Sequence, residues 1–211
     1  MLRNTGFDYE VIVVDDGSED STRSKALQCA VLDDHVKVVS HPRNLGKGAA
    51  VKTGFQHSTG DLVVFIDSDL EIPPELIPAY LKALKEADIA IGSKWHPKSK
   101  VKVSFTRKVL SRCFYALTRL LTGVKATDTQ VGLKAFRREA LEKIMKAQFI
   151  KRYAFDVELL AAANLLGYKI IELPVEIRLE AGFNPLEIFR MIKDLFGIAY
   201  RLKIINIIKE A

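Results

Sequence analysis

The chain has 211 residues, 48% of them hydrophobic, and its 32 Lys and Arg against 26 Asp and Glu leave a formal charge of +6. That length and apolar share can fill a core unaided, which excludes disordered, collagen-like and disulfide-held chains. Cys29 and Cys113 stand outside any Cys-x-x-Cys or Cys/His cluster, which excludes a structural zinc site and predicts packing roles in a reducing compartment. No apolar run reaches the roughly 18 residues of a membrane span, and Met1 to Asp8 does not read as a signal peptide.

In chain order, Glu10 to Val14 reads as a β-branched strand leading into Asp15-Asp16-Gly17-Ser18. A helix over Ser21 to Leu32, capped by Asp20 or Ser21, precedes a strand at Val36 to Ser40 and a helix at Gly48 to His57. Leu62 to Ile66 is a second buried strand and runs into Asp67-Ser68-Asp69, after which Pro73-Pro74 open a helix to about Glu86. Ile89 to Ile91 is a third, ending in Gly92-Ser93. Strand alternating with helix predicts an α/β fold with a doubly wound, mostly parallel sheet. Further on, Phe105 to Leu121 predicts a long amphipathic helix and Asp128 to Phe136 a loop and short strand. Arg138 to Lys146 and Phe155 to Leu166 read as helices, and Lys169 to Glu180 as a strand pair broken at Pro174. Leu186 to Ile208 forms a last helix whose apolar stripe, with Arg190, Lys193, Arg201 and Lys203 elsewhere, suits packing on the domain or docking on anionic lipid. Residues 1–180 are thus expected to form one domain and residues 181–211 an amphipathic, interfacial extension.

Charge divides the chain. Residues 1–92 hold 9 cationic and 15 acidic side chains, and residues 93–211 hold 23 and 11. Between Ser93 and Lys125 lie nine cations and no carboxylate. A solvated face explains some of this, but surface helices usually mix signs, so the segment predicts an anionic partner. Nucleic acid is not expected, because the cations lack interleaved aromatic platforms and no helix-turn-helix pattern is present.

Ligands of open α/β sheets sit beyond the carboxyl ends of the strands, where both acidic turns fall. Asp67 and Asp69, with Glu71 two residues on, offer the oxygen ligands that Mg²⁺ or Mn²⁺ prefers when it bridges to phosphates. Capping of the following helix is the simpler reading of the same turn. Asp15-Asp16-Gly17-Ser18 is a common turn sequence in which a carboxylate can also accept a nucleobase N–H while Gly17 permits close backbone approach. Lys47 can reach a phosphate, although Gly46-Lys47-Gly48 lacks the full phosphate-loop pattern. Asp156 and Glu158 are two apart and so face different ways on a helix, which favours a structural hydrogen bond or salt bridge over a paired acid and base. Trp95 and His96 sit in a basic loop that is either solvent-exposed or closes over a ligand.

Tyr9 to Ser18, Asn44-Leu45-Gly46-Lys47-Gly48 and Asp67-Ser68-Asp69-Leu70, taken as an ordered set, resemble family 2 inverting glycosyltransferases of the GT-A fold. Gly92-Ser93, Arg107 to Ser111, Asp128 to Phe136 and Ala154 to Leu160 are similar to the dolichyl-phosphate mannose and glucose synthase branch. The resemblance implies a Rossmann-like GT-A sheet. It also implies transfer of a hexose from a nucleoside diphosphate sugar, of the GDP-mannose or UDP-glucose type, to a polyprenyl (dolichyl) phosphate at the cytoplasmic surface of a membrane. It places the nucleotide sugar on Asp15, Asp16, Gly17, Ser18, Lys47, Asp67 and Ser68, and Mn²⁺ or Mg²⁺ on Asp67, Asp69 and Glu71. The acceptor phosphate falls to Lys94, Arg107 and Arg119. The catalytic set is Asp69, Asp128, Arg107 and Arg119, with Asp128 positioning the sugar or ion rather than abstracting a proton. A phosphate monoester with a second pKa of about 6 is already a nucleophile at neutral pH, so cations that hold it in line matter more than a base. Gln130 is similar to the glucose-type branch.

Members of this family normally begin with an additional strand ending in Pro-x-x-Asn-Glu, and this chain has no such segment before Tyr9. The resemblance therefore predicts an exposed apolar sheet edge and a reduced base pocket. Glu71 stands where many relatives carry glutamine. A family 2 enzyme with another acceptor, or a non-catalytic module binding membrane or anion, are the alternative expectations.

Overall fold

The computed structural model describes residues 6–69, 71–102, 105–146, 154–178 and 185–210, excepting the side chains of 102, 105–108, 178, 185–189 and 203–210. Strand β1 (Val11–Asp15) and strand β2 (Val36–Ser40) pair in parallel around helix α1 (Thr22–Leu32), and helix α2 (Lys47–His57) follows. Strand β3 (Leu62–Phe65) precedes a 3-10 turn at Pro74–Leu76 and helix α3 (Ile77–Ala83). Then come β4 (Ile89–Ser93), β5 (Lys100–Lys102), α4 (Phe105–Thr122), β6 (Lys134–Arg137), α5 (Arg138–Lys146), α6 (Phe155–Leu165), β7 (Ile170–Pro174), β8 (Glu176–Arg178) and α7 (Pro185–Glu210).

The α/β architecture expected from the alternation is present. A four-stranded sheet runs β3-β6-β4-β7, in which β6 is antiparallel to both neighbours and β7 is parallel to β4. The antiparallel β6 between β3 and β4 is not legible in chain order, because Lys134 interrupts its apolar run. Nor do the two strands flanking Pro174 pair with one another: β7 joins β4, and β8 pairs with β5, a charged Lys-Val-Lys segment without strand patterning. The helix after Pro73-Pro74 is shorter than expected, ending at Ala83. Cys29 and Cys113 are both exposed, which corrects their expected burial.

β1-β2 forms its own two-stranded sheet, so β1 and β3 each keep one edge without a strand partner among the described residues. Residues of β1 before Asp15 and most of β3 are only partly buried, and Ile66 is 36% exposed. Helix α2 lies on β1 and also meets α6, which ties the two sheets together.

Helix α6 carries apolar side chains nearly all round and is correspondingly buried from Phe155 to Ala163, Asp156 and Glu158 included. Phe136, Phe155, Leu159, Leu160, Leu141, Ile144, Ile89 and Ile91 meet there in the main core. On the other face of the sheet, Tyr80, Leu84, Leu133 and Val175 form a second cluster under α3. Helix α1, in contrast, buries no residue. Its N-cap position is Ser21, which makes no side-chain capping bond, while the Asp20 carboxylate just before it accepts the Thr22 N–H at 2.9 Å.

The start of β1 is held by the segment after α2 and by β2. Glu10 Oε1 accepts the Thr59 N–H at 2.5 Å and its hydroxyl at 2.8 Å, while Oε2 accepts from Lys37 at 2.9 Å. Burial opposes ionisation of Glu10, yet these donors outweigh it and lower its pKa to about 2. Because the folded carboxyl titrates below the unfolded one, its stabilisation is complete above the ordinary value of 4.5 and is lost as pH falls towards about 2. Glu10→Gln is expected to lower unfolding stability at pH 7 by roughly 1–3 kcal/mol and to flatten its acid dependence in that window, as read by urea unfolding. An unchanged acid limb would count against this assignment.

Candidate active site

The carboxyl ends of β1, β3 and β4 carry the residues that the sequence singles out. Asp15, buried at the end of β1, accepts the Ser18 N–H at 3.1 Å, and the Ser18 hydrogen bonds hold its pKa low against burial. Gly17 has φ +73°, and a Cβ there would lie 2.4 Å from the Arg43 carbonyl carbon. The turn therefore nests against the loop after β2. Asp16 is consumed in holding that loop: its oxygens accept the Leu45 N–H at 2.9 Å and the Gly46 N–H at 2.7 Å and lie 2.6 Å from His41 Nδ1. Burial alone would raise its pKa, and these partners lower it. His41 Nε2 in turn lies 2.9 Å from the Thr53 hydroxyl.

The loop that Asp16 organises delivers Lys47 to the first position of α2. Its ammonium lies 2.9 Å from Asp67 Oδ1, 3.0 Å from Asp67 Oδ2 and 3.3 Å from Asp156 Oδ2. Burial lowers the Lys47 pKa, but the Asp156 and Asp67 charges outweigh it and leave it raised. Asp156 also takes Lys134 at 2.6 Å, and the Lys134 ammonium donates to the Val131 carbonyl at 2.6 Å. Lys134 is 2% exposed, and burial pushes its pKa down against the pull of Asp156. Asp156 is thus the structural ion-pair residue the helix spacing suggested, and Glu158 likewise pairs with Arg201 at 2.8 Å.

The Asp67 N–H donates to the Gly132 carbonyl at 3.2 Å, which joins the acidic turn to the loop before β6. In that loop, buried Asp128 accepts the Lys94 N–H at 2.9 Å and the Gln130 N–H at 3.0 Å, and the Lys94 ammonium lies 3.5 Å away. Ser93 and Thr127 share a hydrogen bond at 2.8 Å, and Glu172 on β7 accepts from both the N–H and the hydroxyl of Thr127. The Arg112 guanidinium stands 5.2 Å over the ring of Trp95, so α4 is held against the basic loop. Trp95 and His96 are partly buried there.

Asp15, Asp16, Lys47, Asp67, Lys94 and Asp128 are therefore brought to connected loops at one end of the strands. Arg119 is not shown to join them. It is exposed, donates to the Tyr115 hydroxyl at 3.0 Å, and precedes Gly123, whose carbonyl accepts from Asn164 near the C-terminus of α6. Asp156 marks the other end of that helix. The side chain of Arg107 lies outside the described residues. Sequence reasoning missed His41, Thr127 and Glu172, which are ordinary polar letters in isolation. It also left Arg112 and Lys134 without roles, although a lysine inside the run Leu133 to Phe136 was a readable signal.

Among the described residues no three Asp, Glu, His or Cys side chains gather to hold an ion. Asp67 is paired with Lys47, and exposed Asp69 folds back to accept the Glu71 N–H at 3.0 Å. A Mg²⁺ or Mn²⁺ shared with a diphosphate asks for only one or two carboxylates, and Asp69 with Asp67 fits that smaller requirement.

Residues 1–145 match the family model described as glycosyl transferase family 2. The chain is 36% identical over 210 residues to a dolichyl-phosphate β-glucosyltransferase, ALG5C, of Trichomonas vaginalis, covering 93% of this chain and 61% of the relative. It is 32% identical over 170 residues to the glycosyltransferase AglD of Haloferax volcanii, covering 80% of this chain and 27% of that one. The chain thus spans less than two thirds of the length of these relatives. Among solved structures it is similar to glucosyl-3-phosphoglycerate synthase of Mycobacterium tuberculosis, crystallised with Mn²⁺, uridine diphosphate and glucosyl-3-phosphoglycerate. That likeness has a TM-score of 0.69 at 24% identity and covers 92% of this chain and 69% of the other, which shows a common GT-A fold.

Proposed function

The chain belongs to glycosyl transferase family 2, and from that premise we propose that it moves a hexose from a nucleoside diphosphate sugar to a polyprenyl phosphate at a membrane surface. The observation that carries this reading is the junction of the acidic turn with the basic loop: Asp67 bonds Gly132, and Asp128, four residues earlier, bonds Lys94. An anionic donor and an anionic acceptor can meet only where cations from two directions share one crevice.

In this proposal Asp15, Gly17 and Ser18 face the nucleoside, with Asp16 holding the adjoining loop rather than touching the ligand. Lys47 and Ser68 attend the diphosphate, and Asp69 with Asp67 holds Mn²⁺ or Mg²⁺. When bound, the ion neutralises charge on the departing nucleoside diphosphate. Lys94, fixed through Asp128, and Arg112, fixed over Trp95, grip the acceptor phosphate in line with the anomeric carbon. Arg107 and Arg119 extend the same cationic helix. Relatives named for dolichyl phosphate support the lipid acceptor. Helix α7 exposes Arg190, Lys193, Phe196 and Tyr200, a mix suited to the interface of an anionic bilayer. None of the described helices is long and apolar enough to cross one. We place the protein peripherally on the cytoplasmic face, where exposed Cys29 and Cys113 stay reduced.

Uridine or guanosine diphosphate with Mn²⁺ is expected to raise the melting temperature by several degrees, and Asp69→Ala to remove most of that shift. A screen of labelled nucleotide sugars against a short polyprenyl phosphate names the pair. Absence of any shift with every nucleotide would overturn the donor assignment.

A further inference from the structure

Asp67 reaches the candidate ion site already neutralised, and what neutralises it is the residue best placed to meet a diphosphate. Lys47 spans both carboxylate oxygens, at 2.9 and 3.0 Å. We propose that Lys47 is a counter-ion gate for Asp67: without nucleotide its ammonium occupies the carboxylate, and an arriving diphosphate draws the ammonium away and opens Asp67 to the divalent ion. The proposal rests on the nucleotide-dependent reading above and adds to it an order of binding.

Three features make the lysine, rather than the aspartate, the moving part. Asp67 is pinned: its N–H is bonded to Gly132, and its carboxylate lies so close to that glycine that a Cβ there would stand 2.1 Å from Oδ2. Lys47 carries its ammonium on a flexible four-carbon stem, and it begins α2, where the partial positive charge of the helix terminus favours an anion beside it. Departure of Lys47 also leaves no stranded charge, because its second partner, Asp156, stays paired with buried Lys134 at 2.6 Å. Lys134 cannot exchange places with it, being 2% exposed and bonded to the Val131 carbonyl as well.

Opposite charges that must separate before the ion can bind create coupling between the two ligands. The ion alone meets an occupied carboxylate, and the nucleotide alone loses part of its attraction in parting the pair. Each therefore binds more tightly in the other's presence, beyond their mutual affinity in solution.

Mn²⁺ titration by calorimetry, with the ion alone and with uridine or guanosine diphosphate, tests this on the whole chain. Lys47→Met is expected to bind Mn²⁺ alone roughly tenfold more tightly than the unaltered protein, to bind metal-free nucleotide more weakly, and to lose most of the coupling. Lys47→Arg, which keeps a cation on Asp67, should return Mn²⁺ binding to the weak level. The gain should vanish in the Lys47→Met, Asp67→Asn double variant. A gain that persists there reflects only the lost positive field and overturns the gate. So does Mn²⁺ binding in Lys47→Met no tighter than in the unaltered protein. Lys47→Gln serves the same comparison if Lys47→Met does not fold, as judged by circular dichroism. The two failures are separable: an unaltered protein that binds no nucleoside diphosphate overturns the underlying reading, whereas normal nucleotide binding with unchanged Mn²⁺ affinity overturns the gate alone.

Discussion

Lys134→Met is expected to lower stability by about 3 kcal/mol or more, a fall in melting temperature on the order of 6–12 °C for a chain of this size. The reason is the charge left behind. Asp156 is 4% exposed, sits in the first turn of a helix buried from Phe155 to Ala163, and takes Lys134 at 2.6 Å. Removing the lysine leaves a desolvated carboxylate with Lys47 as its remaining cation at 3.3 Å. Replacing both partners by apolar residues avoids that cost, so Lys134→Met with Asp156→Leu should recover much of the stability that the single change loses. Chemical denaturation of the four proteins of that cycle checks the point. A loss below about 1 kcal/mol in Lys134→Met would mean that water or Lys47 compensates Asp156 unaided.

Gly17→Ala is expected to cost about 2 kcal/mol or more and to weaken nucleoside diphosphate binding at least about tenfold. A left-handed φ of +73° strains any residue with a Cβ, and here that Cβ would also meet the Arg43 carbonyl carbon at 2.4 Å, Arg43 Cα at 2.6 Å and the Asn44 nitrogen at 2.7 Å. These are backbone atoms, so no rotamer relieves the collision. The loop itself must move, and it is the loop that Asp16 holds through Leu45 and Gly46 and that carries Lys47. Gly123→Ala separates the two causes. Its φ is +69° with nothing within 4 Å of the added carbon, so it should show the backbone strain, about 1–2 kcal/mol, without loss of binding. Equal effects at the two glycines would remove the collision from the account.

The acidic turns were legible because their position is a consequence of local order: a short β-branched run followed by Asp-rich letters places carboxylates at a strand's carboxyl end. What those carboxylates touch was not legible. Asp16 and Asp67 both look like ligand-binding groups, yet one is spent on the amides of Leu45 and Gly46 and the other on Lys47. Each partner lies 20 or more positions away along the chain. Arg112 and Arg119 share one helix and one residue type, and only the stacking on Trp95 separates them.

Periodicity along the chain is a one-dimensional property, and it was enough to determine the α/β class, the extent of most helices and the end of the sheet at which the acidic turns lie. Sheet order, the antiparallel insertion of β6, the β5-β8 pair and the pairing of Lys47 with Asp67 were decided by the tertiary structure alone. They depend on which distant segments lose water together, and a buried charge takes whatever opposite charge the fold brings within reach.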